Sequence, residues 1–530
     1  MNGHIPSFQL FGHVVLLSHE AWGHMRSLCV LAARIAQSTP PVYVTFFVPN
    51  KVHDRVIKEV SRNFGVGDAG LNHLRIVGLY DGEDGTHSFS MEEQFETFSR
   101  SFADAYAQLQ LSSKMSAGSE DIPPSPNAVI LDMMCSEALR AVRRLSRIPV
   151  KIYTWIAGML SFMLYPFSPE SYGGRGDYRE RIMHEVKRTG RCFEEVADEV
   201  MTSTDGSIIR VPGIPPMFDH EIHPQEMIVK GVVGFLWVMI QQVIAECDGV
   251  ISNSSDVYEP EAAASLKNWF AETGREAYVV GPLLPAYGEI LTRDNSPRAR
   301  DTSEVEEFLT SVLQSHGVKS LLYISFGTVF WPTEPDKLWT FLDVVISMKI
   351  PFILSHASPF ASIPDSVAEK LAHYKLGMLC PWSPQQTILA HPVTGWFVTH
   401  SGHNSVVEAI SMGVPMICWP YHADQPFNAI RLSEILDVGF ELLEVRSGEC
   451  GMKPLYRTGK PPRGTDQAIR EETSSILQRA LGPEGARKRG NMETLRRRVL
   501  KGRREENPYW QDADTDRLVR SLRSPHPGLV

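Results

Sequence analysis

The chain has 530 residues, 43% of them apolar and 22% charged, a balance that can bury a sizeable core rather than leave the chain disordered. Its formal net charge of -10 gives no overall electrostatic case for binding nucleic acid or an anionic membrane. The seven cysteines (Cys29, Cys135, Cys192, Cys247, Cys380, Cys418, Cys450) are odd in number, scattered and free of CxxC spacing. Neither a disulfide framework nor a zinc site is expected, and a reducing, cytoplasmic setting is the simplest expectation.

From the N-terminus, the first 25 residues lack a basic start, apolar run and cleavage site, so no secretory signal is expected. Short apolar, β-branched runs then alternate with amphipathic stretches, as in VVLLS, MRSLCVLAARIAQ and VYVTFFV, a pattern of βαβ units and parallel sheets. The fold class is α/β. Strands are predicted over 14–18, 42–48, 74–79, 128–131, 149–154, 249–252 and 277–280, and then over 320–325, 351–354, 376–379, 395–399 and 416–419. The longest apolar run, 231–244, is shorter than the roughly 18 to 20 residues that span a bilayer, so no transmembrane anchor is expected.

Length suggests two or three domains, and two large ones fit best. The Pro-, Ser- and charge-rich stretch near 284–304 has no apolar period and marks the boundary. The expected division is 1–284, a linker 285–304, a second domain 305–490, and a helical tail 491–530 that crosses back to the first. Segments 112–127, 168–177 and 446–465 read as loops.

The richest chemistry lies from Trp382 to Gln425. Trp396–Thr399 reads as a strand, His400-Ser401-Gly402-His403 as a tight turn, 404–412 as a helix, and Gly413 as its stop. The helix start offers unpaired backbone N–H groups and a partial positive charge, and Asn404 and Ser405 add side-chain donors beside His400, so a diphosphate fits there without a metal. One turn on, the Glu408 carboxylate can accept both hydroxyls of a ribose. Trp382 offers a flat face for a base, and Gln385 an amide for ribose or base. Asp424 and Gln425 could read sugar hydroxyls. Taken singly, each has a plainer reading: core Trp, helix cap, solvated Glu, turn.

Together they resemble, position for position, the signature segment of the family 1 UDP-glycosyltransferases, best known from plant enzymes that glycosylate small molecules. The match runs through WSPQ (382–385), LAHP (389–392), FVTHSGHNS (397–405), Glu408, GVPMICWP (413–420) and DQ (424–425), 44 residues in all. The resemblance implies two facing doubly wound Rossmann-like domains, the GT-B fold. It implies Trp382 and Ser383 at the uracil, Gln385 and Glu408 at the ribose, His400, Gly402, Asn404 and Ser405 at the phosphates, and Asp424 and Gln425 at the sugar. Thr328, in YISFGT (323–328), would reach the β-phosphate. Two departures stand out: His403 where the family usually carries Trp, and Ser401 where Cys is common. Ile156 replaces a frequent Thr, so that sugar contact does not carry over.

Glycosyl transfer with inversion needs a base for the acceptor's proton and a group to hold the resulting imidazolium. His24 follows the first strand at a helix start, and Asp132 closes the strand AVIL; both fall where doubly wound sheets place ligands. Position alone favours a surface His and a helix-capping Asp. By resemblance, His24 is the base and Asp132 its partner, with VPGIPPM (211–217), SNSSDVYEPEA (252–262), VVGPL (279–283) and AIREE (468–472) extending the likeness.

The implied reaction moves a sugar, glucose by the resemblance of Gln425, from a UDP-sugar to a hydroxyl of a small lipophilic acceptor. UDP-sugar is a co-substrate, and no cofactor, metal or nucleic acid is expected; a monomer is. Competing readings are a nucleotide-sugar-binding protein without turnover and an epimerase on the same scaffold. A nicotinamide dehydrogenase is disfavoured, because HEAWGH contains no GxGxxG. Asp512 to Asp516 imitates a metal-binding DxD but reads as a helix start, since Arg517 stands where a calcium loop needs Gly. Segment 486–505, with nine Lys or Arg against two acids, reads as a solvated helix, with peripheral membrane contact the alternative.

Overall fold

The computed structural model describes residues 11–81, 91–115, 123–226, 233–284, 299–501 and 513–523. The first sheet begins with β1 (His13–Leu17), β2 (Tyr43–Pro49), β3 (Leu74–Leu79), β4 (Ala128–Asp132) and β5 (Lys151–Ile156). A small antiparallel pair, β6 (Ile208–Ile209) and β7 (Met217–Phe218), precedes β8 (Gly249–Ser252) and β9 (Glu276–Val279), which complete it. The second sheet comprises β10 (Leu321–Ser325), β11 (Phe352–Ser355), β12 (Gly377–Cys380), β13 (Thr394–Thr399), β14 (Met416–Cys418) and β15 (Gly439–Glu441).

Both sheets are parallel and doubly wound. The spatial order is β3, β2, β1, β4, β5, β8, β9 in the first and β12, β11, β10, β13, β14, β15 in the second. The cause is visible in the strand sequences. In HVVLL, Val15 and Leu17 join one apolar cluster while Val14 and Leu16 join another on the opposite face. In LLYIS, Leu321 and Tyr323 divide in the same way from Leu322 and Ile324. A strand apolar on both parities must be covered on both faces, which is the parallel α/β arrangement.

The predicted strands fall on the observed ones with small shifts. β5 starts at Lys151 rather than 149, because Pro149 has no N–H to give to the ladder. β15 was not predicted; three residues containing a glycine carry too little pattern to register. Of the proposed linker, 285–298 lies outside the described residues, as does part of the apolar run 231–244.

The helix Pro483–Leu500 packs on the second sheet's helices His403–Met412 and Asp466–Leu481. Several cations of the basic stretch turn inward there. Arg489 donates to the Gly395 carbonyl at 2.7 Å, Arg496 to that of Ser411 at 2.8 Å, and Lys488 meets Asp437 at 2.6 Å. The last described helix, Ala513–Ser521, lies instead along β9, the edge of the first sheet. Asp514 accepts from the backbone N–H of Val279 at 3.1 Å and pairs with Lys267 at 2.6 Å, so it serves as an edge clamp. Among the described residues no cluster of three or more metal-ligating side chains occurs, and no helix is long and apolar enough to cross a membrane.

The two sheet units meet through buried contacts. Phe427, in the helix Gln425–Ile430, packs edge-on against Phe162 with ring centroids 5.7 Å apart. Arg431, 2% exposed, donates to the carbonyls of Tyr258 and Gly213, each at 2.6 Å. Nearby, the fully buried Glu259 accepts from the backbone N–H groups of Leu160 (2.9 Å) and Ser161 (2.8 Å) and from the hydroxyls of Ser161 and Ser254. It thereby closes the N-terminus of the helix Leu160–Phe167, all of whose residues are buried. Glu259→Gln places an amide N–H against donors that need an acceptor. The expected stability loss is about 1–3 kcal/mol, seen as a lower denaturant midpoint with unchanged slope.

Candidate functional site

In each sheet the strand order reverses once, between β1 and β4 in the first and between β10 and β13 in the second. Doubly wound sheets bind ligands outside the carboxyl ends of strands at such a reversal, where adjacent connections diverge and leave a crevice. The registers bring the chain ends level, Leu17 beside Leu131 and Ser325 beside Thr399. The loops leaving β1 and β4 therefore start together, and so do those leaving β10 and β13.

His24 stands in the first turn of the helix Trp22–Ala36, and its Nδ1 lies 2.9 Å from Oδ2 of Asp132, the last residue of β4. Asp132 is fully buried, and its other oxygen accepts from the backbone N–H of Met134 at 3.0 Å. The His24 side chain keeps 19% exposure. Burial opposes charge on this ring, but the carboxylate of Asp132, its hydrogen bond and the more distant Asp424 together raise the pKa above 6.5. The indole N–H of Trp155 donates to the His24 carbonyl at 3.1 Å and fixes the turn. An imidazole so held presents its Nε2 as the free basic nitrogen.

In the second unit, the turn between β13 and the helix His403–Met412 needs glycine for space. A Cβ at Gly402 would stand 2.5 Å from His400 Nε2, and one at Gly327 3.0 Å from the same ring. Gly327 also takes a φ of 78°, which favours glycine. Of the non-glycine residues that share that region of backbone space, two lie here, Ser401 (φ 66°) beside His400 and Ala423 (φ 57°) beside Asp424. Burial lowers the His400 pKa to about 4, and its Nδ1 has no hydrogen-bond partner among the described residues. Thr328, just beyond Gly327, is exposed.

Glu408, 3% exposed, accepts from Gln385 Nε2 at 2.8 Å and Gln386 Nε2 at 3.3 Å, and Gln385 also reaches the Ser405 hydroxyl at 3.3 Å. Tyr323 links Ser383 (2.8 Å) with Gln385 (3.3 Å). Trp382, just past β12, is half-buried. His403 is buried, neither ring nitrogen has a hydrogen-bond partner among the described residues, and its ring lies 6.1 Å from that of Tyr258. The Gln425 carbonyl accepts from the N–H groups of Tyr421 (2.9 Å) and His422 (3.3 Å), which leaves its amide N–H groups as its remaining polar capacity. Burial raises the pKa of Asp424, which accepts from the Met159 N–H of the first unit at 3.2 Å.

The two crevices face one another. Asn404 donates to the Gly23 carbonyl at 2.6 Å and accepts from Asn253 at 3.1 Å. Arg26, two residues beyond His24, donates to Glu408. The structure thus brings His24, Asp132, Asn404, Glu408 and Asp424 to one cleft. Sequence reasoning missed Arg26, Asn253 and Tyr323. For Arg26 a signal was available, a cation at the start of the second turn of a helix whose following residues are almost wholly apolar.

A family model described as UDP-glucoronosyl and UDP-glucosyl transferase matches residues 191–440. The UDP-glycosyltransferase eriJ of Hericium erinaceus is 29% identical over 504 residues, covering 91% of this chain and 94% of that protein. Anthocyanidin 3-O-glucosyltransferase 1 of Fragaria ananassa is 23% identical, covering 92% and 98%. Among solved structures, a transferase from Siraitia grosvenorii in complex with UDP superposes with a TM-score of 0.68 at 18% identity, covering 96% of this chain and 99% of that one. Medicago truncatula UGT71G1 complexed with UDP-glucose gives 0.67 at 18%, covering 96% and 98%, so the two-sheet fold is shared. The chain is a glycosyltransferase enzyme and resembles the family 1 UDP-glycosyltransferases over most of its length.

Proposed function

We propose that this enzyme transfers glucose from UDP-glucose, with inversion, to a hydroxyl of a small lipophilic acceptor. His24 is the general base and Asp132 its orienting partner. The observation that carries the reading is the His24–Asp132 hydrogen bond of 2.9 Å at the mouth of the first crevice, opposite the donor segment. Glucose is supported by Gln425 and by relatives named as glucosyltransferases, among them the Fragaria ananassa protein. The division of labour places the acceptor on the unit of the first sheet and the donor on the unit of the second, with the boundary within 285–304.

In the proposed reaction His24 Nε2 takes the proton of the acceptor hydroxyl as its oxygen attacks the anomeric carbon. Asp132, buried and held by the Met134 N–H, stabilises the imidazolium that forms. The bond from the anomeric carbon to the β-phosphate oxygen breaks, and UDP departs toward the start of the helix His403–Met412. There Asn404, Ser405, Gly402 and His400 surround the diphosphate, Thr328 approaches from the β10 loop, and the helix dipole favours the developing charge. Uracil stacks on Trp382 beside Ser383, and the ribose hydroxyls bond Glu408 and Gln385. Asp424 accepts from sugar hydroxyls while Gln425 donates to them, with the smaller His403 ring beside the sugar where relatives carry an indole.

His24→Ala is expected to lower kcat by about 10²–10⁴-fold while UDP binding, followed by titration calorimetry, stays near the wild-type value. Transfer that persists unchanged removes His24 from the role of base. A base works when neutral, so a pKa raised above 6.5 places the acid limb of the kcat/KM profile above that pH, with activity growing as pH rises through it. Asp132→Asn removes the charge that favours the protonated ring. The limb should then move to lower pH and the plateau rate should fall; a limb that stays in place contradicts the pairing. Incubation with UDP-glucose and a panel of phenols, sterols and hydroxy fatty acids, read by mass shift, should give a gain of one hexosyl unit on an acceptor. Conversion of UDP-glucose to another UDP-hexose without acceptor would favour an epimerase instead.

A further inference from the structure

Arg26 has no place in the reading so far, yet its guanidinium reaches the donor crevice from the opposite unit. Its Nε donates to Glu59 at 2.9 Å, and Glu59 is itself held by Arg62 at 3.0 Å, so one end is anchored within the first unit. The other end, Nη1, donates to Oε1 of Glu408 across the cleft. The side chain keeps 21% exposure, enough to meet a ligand. Gly23 stands opposite Asn404, and Arg26 stands opposite Glu408 one helical turn further on. The guanidinium therefore lies along the edge that a nucleotide follows from diphosphate to ribose.

The charge balance of the crevice gives this placement its meaning. The 44 residues from Trp382 to Gln425 contain no Lys or Arg. His400 is held neutral by burial, and Asn404, Ser405 and the helix start offer neutral donors only. A UDP-sugar carries a negative charge on each phosphate, and a further one develops as the glycosidic oxygen departs. Hydrogen bonds from a cation to such oxygens are roughly twice as strong as neutral ones. A guanidinium is always charged and can bond two phosphate oxygens at once.

We propose that Arg26 is the cation of the donor site. In the ligand-free protein it occupies Glu408; when UDP-sugar arrives, the ribose hydroxyls replace it there. Its Nη groups then turn to the adjoining phosphate oxygens while Nε stays on Glu59. The proposal rests on the reading of 382–425 as the nucleotide site.

Titration calorimetry with UDP and with uridine, on wild type, Arg26→Gln and Arg26→Lys, separates the possibilities. In Arg26→Gln, UDP affinity should fall about tenfold or more, while uridine affinity holds or rises because Glu408 has lost its competitor. Arg26→Lys keeps the charge and should recover part of the UDP affinity. An unchanged ratio of UDP to uridine affinity in Arg26→Gln, including equal weakening of both, overturns the proposal and leaves Arg26 a structural residue. On the wild-type protein, UDP binding should weaken with added salt far more than uridine binding; equal salt responses overturn it as well. Failure of wild type to bind UDP at all overturns the nucleotide reading itself, and this proposal with it.

Discussion

Parallel strands cannot be joined by tight turns; each return to the starting edge requires a crossover, and in this chain the crossovers are helices packed on both sheet faces. Every strand of a sheet therefore points its carboxyl end the same way. All loops that could carry chemistry emerge on that side, and the strand-order reversal leaves one gap among them. Two such sheets set mouth to mouth generate a cleft with two chemically different walls. One wall offers a histidine and a buried carboxylate. The other offers a helix start, a buried glutamate and a pair of polar corners.

Buried carboxylates hold these walls in place. Asp132, Glu259 and Glu408 are all nearly or wholly inaccessible, and each is surrounded by donors from other elements. An ionised carboxylate in such a place is tolerable only when fully partnered, so each one dictates where several groups must stand. Asp132 orients a ring, Glu259 positions a helix start next to the loop that contacts Asp424, and Glu408 gathers two glutamines and an arginine. The same demand that makes burial of charge unfavourable thereby converts three side chains into rulers of local geometry.

Much of this was legible beforehand because it is local. Strand runs with apolar residues on both parities, the glycine at 413 that ends a helix with φ 70°, and the spacing of Asn404 and Glu408 are all written within a few residues of where they act. The segment from Trp382 to Gln425 is a single stretch of chain, so its resemblance carried many positions at once. The contacts that escaped notice join distant parts of the sequence. Arg26 meets Glu408 across 382 residues and Asn253 meets Asn404 across 151, and no periodicity encodes such a meeting. Glu259 lay inside a stretch singled out for likeness, but its function as a helix-closing acceptor depends on Leu160 and Ser161, nearly a hundred residues away.

Ser401 and Ala423 hold the backbone in left-handed conformations at the two corners that flank His400 and Asp424. For a side chain with a Cβ this costs of order 1–2 kcal/mol per residue, and the surrounding packing must enforce it. The corners are thus under local tension, and the chain is less stable than its sequence could make it. Directed selection for heat tolerance would find relief at 423 readily, since glycine adopts that backbone without strain. The freedom so gained would loosen the very loop that aims Asp424, so durability and turnover are set against each other at a single methyl group.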